Sequence, residues 1–154
     1  MPKFSRVFQL HKSQAELDFV DVALDTDSRL FVDPFSISQR QDRWSQSAHQ
    51  TLITFFQTVV DEIRAGNHER ALALLRHLHE PNETRLGYSR RRPQGSGIGN
   101  EQAVEFFEAL RDSAAVQTGF LTSLEESELM VDGVSFDRIS DLTTNVIRSH
   151  LAVC

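Results

Sequence analysis

Residues 42–65, DRWSQSAHQTLITFFQTVVDEIRA, form a long regular pattern in this chain of 154 residues. Apolar side chains recur every three or four positions, and this spacing places them on one face of an α-helix. The pattern therefore predicts a long helix with one buried stripe, made of Trp44, Ala48, Leu52, Phe55, Phe56, Val59 and Ile63.

Three further helices are predicted after this one. Gly66 is a suitable C-cap for the long helix, and Asn67, Asn100 and Ser135 are suitable N-caps for the helices that follow. Pro81 ends the second helix because proline cannot continue one. The short link at 66–67 predicts an antiparallel pair, and the three helices have expected bounds of about 67–79, 101–115 and 136–151.

The N-terminal part of the chain is predicted to form strands. Residues 15–24, AELDFVDVAL, and 29–33, RLFVD, are rich in β-branched and aromatic residues, and a turn sequence separates them. Shorter strands are expected at 7–10 and 128–131. The predicted fold class is α+β: a mostly helical protein whose small N-terminal β-hairpin or three-stranded sheet packs against about four helices. A single globular domain over residues 1–154 is expected.

The composition indicates a folded protein with an acidic balance. Hydrophobic residues make up 40% of the chain, and its formal charge at pH 7 is -6. No run approaches the roughly 20 apolar residues of a membrane span. The N-terminus has no signal-peptide apolar region, and a single cysteine excludes an internal disulfide, so a cytoplasmic protein is expected. The acidic total disfavours general DNA binding and confines any nucleic-acid contact to a patch.

A cationic, glycine-rich stretch at 84–100, TRLGYSRRRPQGSGIGN, contrasts with this acidic balance because it contains no Asp or Glu. Glycines let backbone N–H groups turn toward one point, and the N-terminus of the following helix adds partial positive charge. The stretch therefore predicts a site for a phosphate ligand or nucleic acid. Its candidate residues are Arg85, Tyr88, Arg90, Arg91, Arg92, Gly95, Gly97, Gly99 and Asn100.

Two other interpretations of this stretch remain open. The loop, at about 80–100, is long for a compact domain and lacks the P-loop and dinucleotide-binding motifs, so it is also consistent with a solvated surface loop. Its charge would equally suit the acidic surface of a protein partner or of a self-associating copy.

Carboxylates give a second candidate site. Asp137 and Asp141 lie four residues apart, a spacing at which two helical carboxylates can share a divalent cation, and Asp33 ends a predicted strand. These three acids form the candidate metal site, with Mg²⁺ or Mn²⁺ as the cofactor of a metal-dependent phosphodiesterase or nuclease. Structural roles compete with this hypothesis, because Asp137 suits the first turn of a helix and Asp141 can pair with a nearby arginine.

Three runs together resemble a poorly characterised bacterial family associated with phage defence and mobile elements. They are ELDFVDVALDTDSRLFVDPF at 16–35, EPNETRLGYS with GSGIG at 80–99, and FDRISDLTTNVIRSHL at 136–151. The resemblance implies a role in phage defence and carries over no catalytic residue. Members of that family continue past the last helix, so it also implies that a chain ending at Cys154 is a shortened or truncated version.

The leading functional hypothesis is a cytoplasmic binding module rather than an enzyme, without a cofactor, that contacts a phosphate-bearing ligand or nucleic acid through the stretch at 84–100. The metal-dependent phosphodiesterase or nuclease is one alternative. A subunit that binds a protein partner, or associates with itself, is the other.

Overall fold

Helices dominate the structure, a computed structural model that describes residues 2–26, 30–78 and 99–152. Of the described residues, 62% are helical. The helices in chain order are α1 (Phe4–Val7), α2 (Pro34–Ser38), α3 (Arg43–Arg64), α4 (His68–Arg76), α5 (Asn100–Asp112), α6 (Ala114–Thr118), α7 (Ser127–Met130), α8 (Phe136–Val146) and α9 (Arg148–Leu151), with a 3-10 turn at Gln14–Glu16.

Two compact units make up the chain. The described part of the first unit is residues 2–26 and Leu30, and that of the second is residues 31–78 and 99–152. The prediction of a single domain over residues 1–154 stays a prediction.

The predicted α+β fold class is wrong, because the described part of the chain is all-α and contains no sheet. Its β pairing is limited to one isolated antiparallel bridge between Lys3 and Ala23. The predicted N-terminal hairpin or three-stranded sheet does not form, for two physical reasons.

Side-chain hydrogen bonds replace a strand ladder in residues 15–24. The Gln14 amide nitrogen donates to the Phe19 carbonyl at 2.8 Å, and the Asp21 backbone N–H donates to the Gln14 side-chain oxygen at 2.7 Å. The Asp21 carboxylate accepts from the Ser5 backbone N–H at 2.8 Å and the Ser5 hydroxyl at 2.7 Å. The Gln14 side chain thus satisfies the Phe19 carbonyl and the Asp21 N–H, and backbone pairing of the segment is limited to the bonds of Val22 and Leu24 with residues 2–4.

The predicted strand at 29–33 leads into helix α2 instead. The Asp33 carboxylate accepts from the Phe35 backbone N–H at 3.0 Å and the Ser36 backbone N–H at 3.2 Å, which caps the helix. Pro34 takes the first helical position, where its missing N–H costs nothing. The other two predicted strands are also wrong, since residues 128–131 overlap α7 and residues 7–10 begin at the last residue of α1.

The four long helices are confirmed as elements, with altered ends. Helix α3 matches its prediction closely, and Gly66 follows it at a positive φ of 80°, which favours glycine. Gly99, not Asn100, is the N-cap of α5. The last predicted helix is divided at Ile147 into α8 and α9.

Helix α3 is central to the second unit because α2, α4, α5, α6 and α8 all pack against it. Its buried stripe meets apolar side chains from these neighbours in one continuous core. The fully buried members with the largest side chains are Phe106, Leu52, Ile63, Leu75, Leu110, Leu121, Leu142, Ile147, Val59, Val60 and Val116. The core therefore joins the elements on both sides of residues 79–98.

Replacing Phe106 by Ala is expected to destabilise this core. Phe106 is 1% exposed, so its loss removes a large apolar side chain and leaves a cavity. We expect the free energy of unfolding to fall by about 3–5 kcal/mol, measured by urea denaturation. The matched control is Phe120→Ala, because Phe120 is 74% exposed and its truncation should cost less than about 0.5 kcal/mol. Equal losses in the two variants would contradict this description of the core.

The start of α3 is expected to lose stability in acid. The Asp42 carboxylate accepts from the Ser45 backbone N–H at 2.9 Å, and with the Arg40 side chain at 2.9 Å this lowers the pKa of Asp42 from 3.8 to about 2. Because the folded pKa is the lower one, the stabilisation is present above about pH 4 and is lost as the pH falls to about 2.

Asp42→Asn isolates the charge, because Asn is also a good N-cap. We expect the melting temperature of the native protein to exceed that of the variant at neutral pH, and the difference to shrink toward pH 2, as followed by circular dichroism. A difference that is constant with pH would show that the Asp42 charge does not stabilise the fold.

Candidate functional site

Most of the predicted anion site lies outside the described residues. Arg85, Tyr88, Arg90, Arg91, Arg92, Gly95 and Gly97 all fall in this part of the chain, so their role stays a prediction. Gly99 is described, and its backbone N–H donates to the Gln102 side-chain oxygen at 3.1 Å. One predicted anion donor is therefore already bonded within the capping of α5, whose first residue is Asn100.

The structure describes all three predicted metal ligands. Asp33 caps α2, Asp137 is exposed in the first turn of α8, and Asp141 is half-buried in the same helix. Asn145, one helical turn after Asp141, is buried, and its side-chain amide donates to the Asp141 carbonyl at 2.8 Å. In residues 2–26, 30–78 and 99–152, no three His, Cys, Asp or Glu side chains are grouped to hold a metal ion.

An open groove in the second unit is the candidate site. It has a volume of about 570 Å³ and runs between α2, the turn before α7, α7 itself and the start of α8. Its lining residues are Asp33, Pro34, Phe35, Ser38, Gln39, Ser123, Glu125, Glu126, Leu129, Phe136 and Ile139.

The α2 wall is attached to α8 on its inner side. The Val32 backbone N–H donates to the Ser140 hydroxyl at 2.8 Å, and the Ile37 side chain is buried in the core. The capping bonds of Asp33 then define the first turn of α2. With these contacts made, Phe35 stays 56% exposed and lines the groove.

The α7 wall is held by buried residues on either side of the helix. Leu124 precedes α7, Val131 follows it, and both side chains lie in the core. The Glu126 carboxylate accepts from the Thr122 backbone N–H at 2.9 Å and hydroxyl at 3.0 Å, which closes the turn before α7. Leu129 lies between these anchors and is 88% exposed.

The α8 wall follows directly from α7 through Gly133, whose positive φ of 84° favours glycine. Phe136 is the first residue of α8 and is 65% exposed. Ile139, one turn later, is buried and lines the same groove. The groove therefore presents exposed apolar side chains from three separate short segments.

The charged side chains that line the groove are all acidic. They are Asp33, Glu125 and Glu126, and no described Lys or Arg is among the lining residues. Glu125 Oε1 lies 3.5 Å from His49 Nε2 on α3. Hydrogen bonds from Thr122, mainly from its backbone N–H, lower the pKa of Glu126, so this carboxylate is charged at neutral pH.

The family of the chain is shown by a match to a family model described as a domain of unknown function, DUF8370, over residues 9–153. The chain belongs to the DUF8370 family. The match covers most of the chain, and its description names no activity. No curated protein and no solved structure matches this DUF8370 chain. Among its described helices, none combines the length and apolar character needed to cross a membrane.

The sequence prediction missed the groove of this DUF8370 protein. Phe35, Leu129 and Phe136 come from segments separated along the chain, and two of them lie in or beside predicted strands. A signal was nevertheless present. Residues 112–137 contain six acids and no Lys or Arg, together with several large apolar residues. This signal gives the charge of the segment but not its exposed apolar residues, since Leu121, Leu124 and Val131 of the same segment are buried in the core.

A groove lined by apolar side chains and carboxylates can bind a complementary segment that carries apolar and cationic side chains. Exposed apolar side chains gain free energy when a partner removes them from water, and the carboxylates select the charge of that partner. These are features of protein interfaces, which commonly combine an apolar centre with a polar rim.

Proposed function

We propose that this DUF8370 protein is a binding module that holds a cationic, partly apolar segment of a protein partner in the groove between α2, α7 and α8. One observation carries the proposal: Phe35, Leu129 and Phe136 are exposed and line one groove whose charged lining residues are all acidic. The resemblance to phage-defence proteins supports a place for this binding in bacterial defence.

The apolar side chains account for most of the expected affinity. Full burial of a Leu or Phe side chain contributes about 1.5–3 kcal/mol. Leu129 is 88% exposed, so a partner that covers it would gain most of this free energy. Phe136 and Phe35 are each more than half exposed and would contribute more than half of it. A few such anchors dominate the binding energy of typical interfaces.

The carboxylates account for the choice of partner. A phosphate-bearing ligand would be repelled by Asp33, Glu125 and Glu126, whereas Arg or Lys side chains would be attracted. Arginine is a good fit, since its guanidinium is always charged and carries several N–H donors. The groove therefore favours a basic peptide over a nucleic acid.

Random peptides displayed against the purified full chain test this function. We expect the enriched peptides to combine Arg or Lys with Leu, Phe or Tyr. Their binding, measured by fluorescence anisotropy, should weaken about fivefold to thirtyfold, or ~1–2 kcal/mol, in Leu129→Ala and in Phe136→Ala.

Phe120→Ala is the control, because Phe120 is an exposed aromatic residue that does not line the groove. Circular dichroism should show that all three variants retain the native helix content. Enriched peptides of acidic composition, or equal binding to Leu129→Ala and the native protein, would overturn the proposal.

Phosphate or nucleic-acid binding through residues 84–100 is a second candidate function. It is favoured by four arginines without a single Asp or Glu in that stretch. It would use a surface other than the acidic groove.

Substituting Arg90, Arg91 and Arg92 together by Gln should remove phosphate contacts and leave the groove intact. If the second candidate function is correct, the variant should bind a labelled DNA duplex more weakly than the native protein. The slope of log affinity against log salt should become shallower by up to about 2.7, since each lost phosphate contact contributes about 0.9. Fluorescence anisotropy across a salt series measures both quantities, and unchanged slopes would exclude this stretch as the contact.

A further inference from the structure

We infer that the groove between α2, α7 and α8 binds residues 85–92 of a second copy of this chain. The inference rests on the proposed function, because it names the occupant of the same groove. It makes the protein a self-associating module.

Residues 85–92, RLGYSRRR, have the chemistry that the groove requires. Four arginines accompany two larger apolar residues, Leu86 and Tyr88, and no carboxylate lies within the segment. Leu86 and Tyr88 would supply the apolar contacts for Leu129 and Phe136. The arginines would supply the cations for the carboxylates that line the groove.

The charge distribution along the chain favours this pairing. Residues 84–100 contain four arginines and no acid, whereas residues 112–137 contain six acids and no Lys or Arg. Two copies that each carry a net charge of -6 repel one another overall. Contact between opposite patches offsets this repulsion. Residues 13–28 are also acidic, with five acids and no Lys or Arg, but only 112–137 contributes Glu125 and Glu126 to the groove.

The size of the groove is also compatible with such a segment. A volume of about 570 Å³ is within the range of pockets that enclose a small molecule, and it is too small for a whole domain. It would accept one or two anchoring side chains of an extended segment. The flanking arginines would lie beside the carboxylates that line the groove, of which Asp33 is the exposed residue.

The proposed interface is heterologous, because a groove on one copy meets a different surface on the next. Each copy then offers one groove and one segment. Two variants that each lack one of these parts should be unable to self-associate, yet together they should restore a single intact interface.

Analytical ultracentrifugation of the full chain tests this inference. Leu129→Arg places a cation in the acidic groove, and the triple substitution of Arg90, Arg91 and Arg92 by Glu reverses the charge of the segment. We expect each variant alone to associate at least tenfold more weakly than the native protein, and an equimolar mixture to form a heterodimer. Raising the salt concentration should weaken the native association. Phe120→Arg, which adds the same charge outside the groove, should associate like the native protein.

Three results would overturn the inference: a native protein that stays monomeric at every concentration, a mixture that stays monomeric, or variants that associate normally. Failure of the proposed function looks different. If displayed basic peptides bind the groove while the native chain remains monomeric, the groove has a foreign partner and only the self-association is wrong. If no peptide binds and the charge variants leave association unchanged, both proposals are wrong.

Discussion

The fold of the second unit depends on burial of one face of α3. The described residues contain no sheet, and the apolar side chains of the core pack instead around α3, a helix of 22 residues. Five helices pack around its stripe, and their long-range contacts connect residues on both sides of the undescribed residues 79–98. Close packing against this stripe therefore holds the neighbouring helices in place around α3.

Competition between side chains and the backbone explains why the N-terminal residues form no sheet. Asp21, Gln14 and Asp33 are all in or beside segments with strong strand composition. The Gln14 and Asp33 side chains bond nearby backbone N–H groups, and the Asp21 carboxylate bonds the N–H of Ser5 at the start of α1. Short polar residues offer the backbone this alternative, and without a second strand to pair with, β propensity contributes little.

The groove results from the way in which short helices are anchored. Ile37 holds α2, and Leu124 and Val131 hold the segment around α7, by burial in the core. A helix of four or five residues has too few positions to bury all its apolar side chains on one side. Phe35 and Leu129 therefore remain outside, where they meet the exposed start of α8. The same packing that stabilises the core thus creates an unpartnered apolar surface, and the local excess of acids gives this surface a charge preference.

The sequence by itself determined the four long helices, because the periodic spacing of apolar residues that predicts a helix lies within each segment. It also determined the charge contrast between residues 84–100 and 112–137. The cap of α2 is local to residues 33–36, whereas only the tertiary structure decided which apolar residues around α2 and α7 reach the core, because that depends on packing against α3 and its neighbours. It also decided the site. The groove brings together residues that lie up to about a hundred positions apart, and no local pattern encodes contact over such a separation.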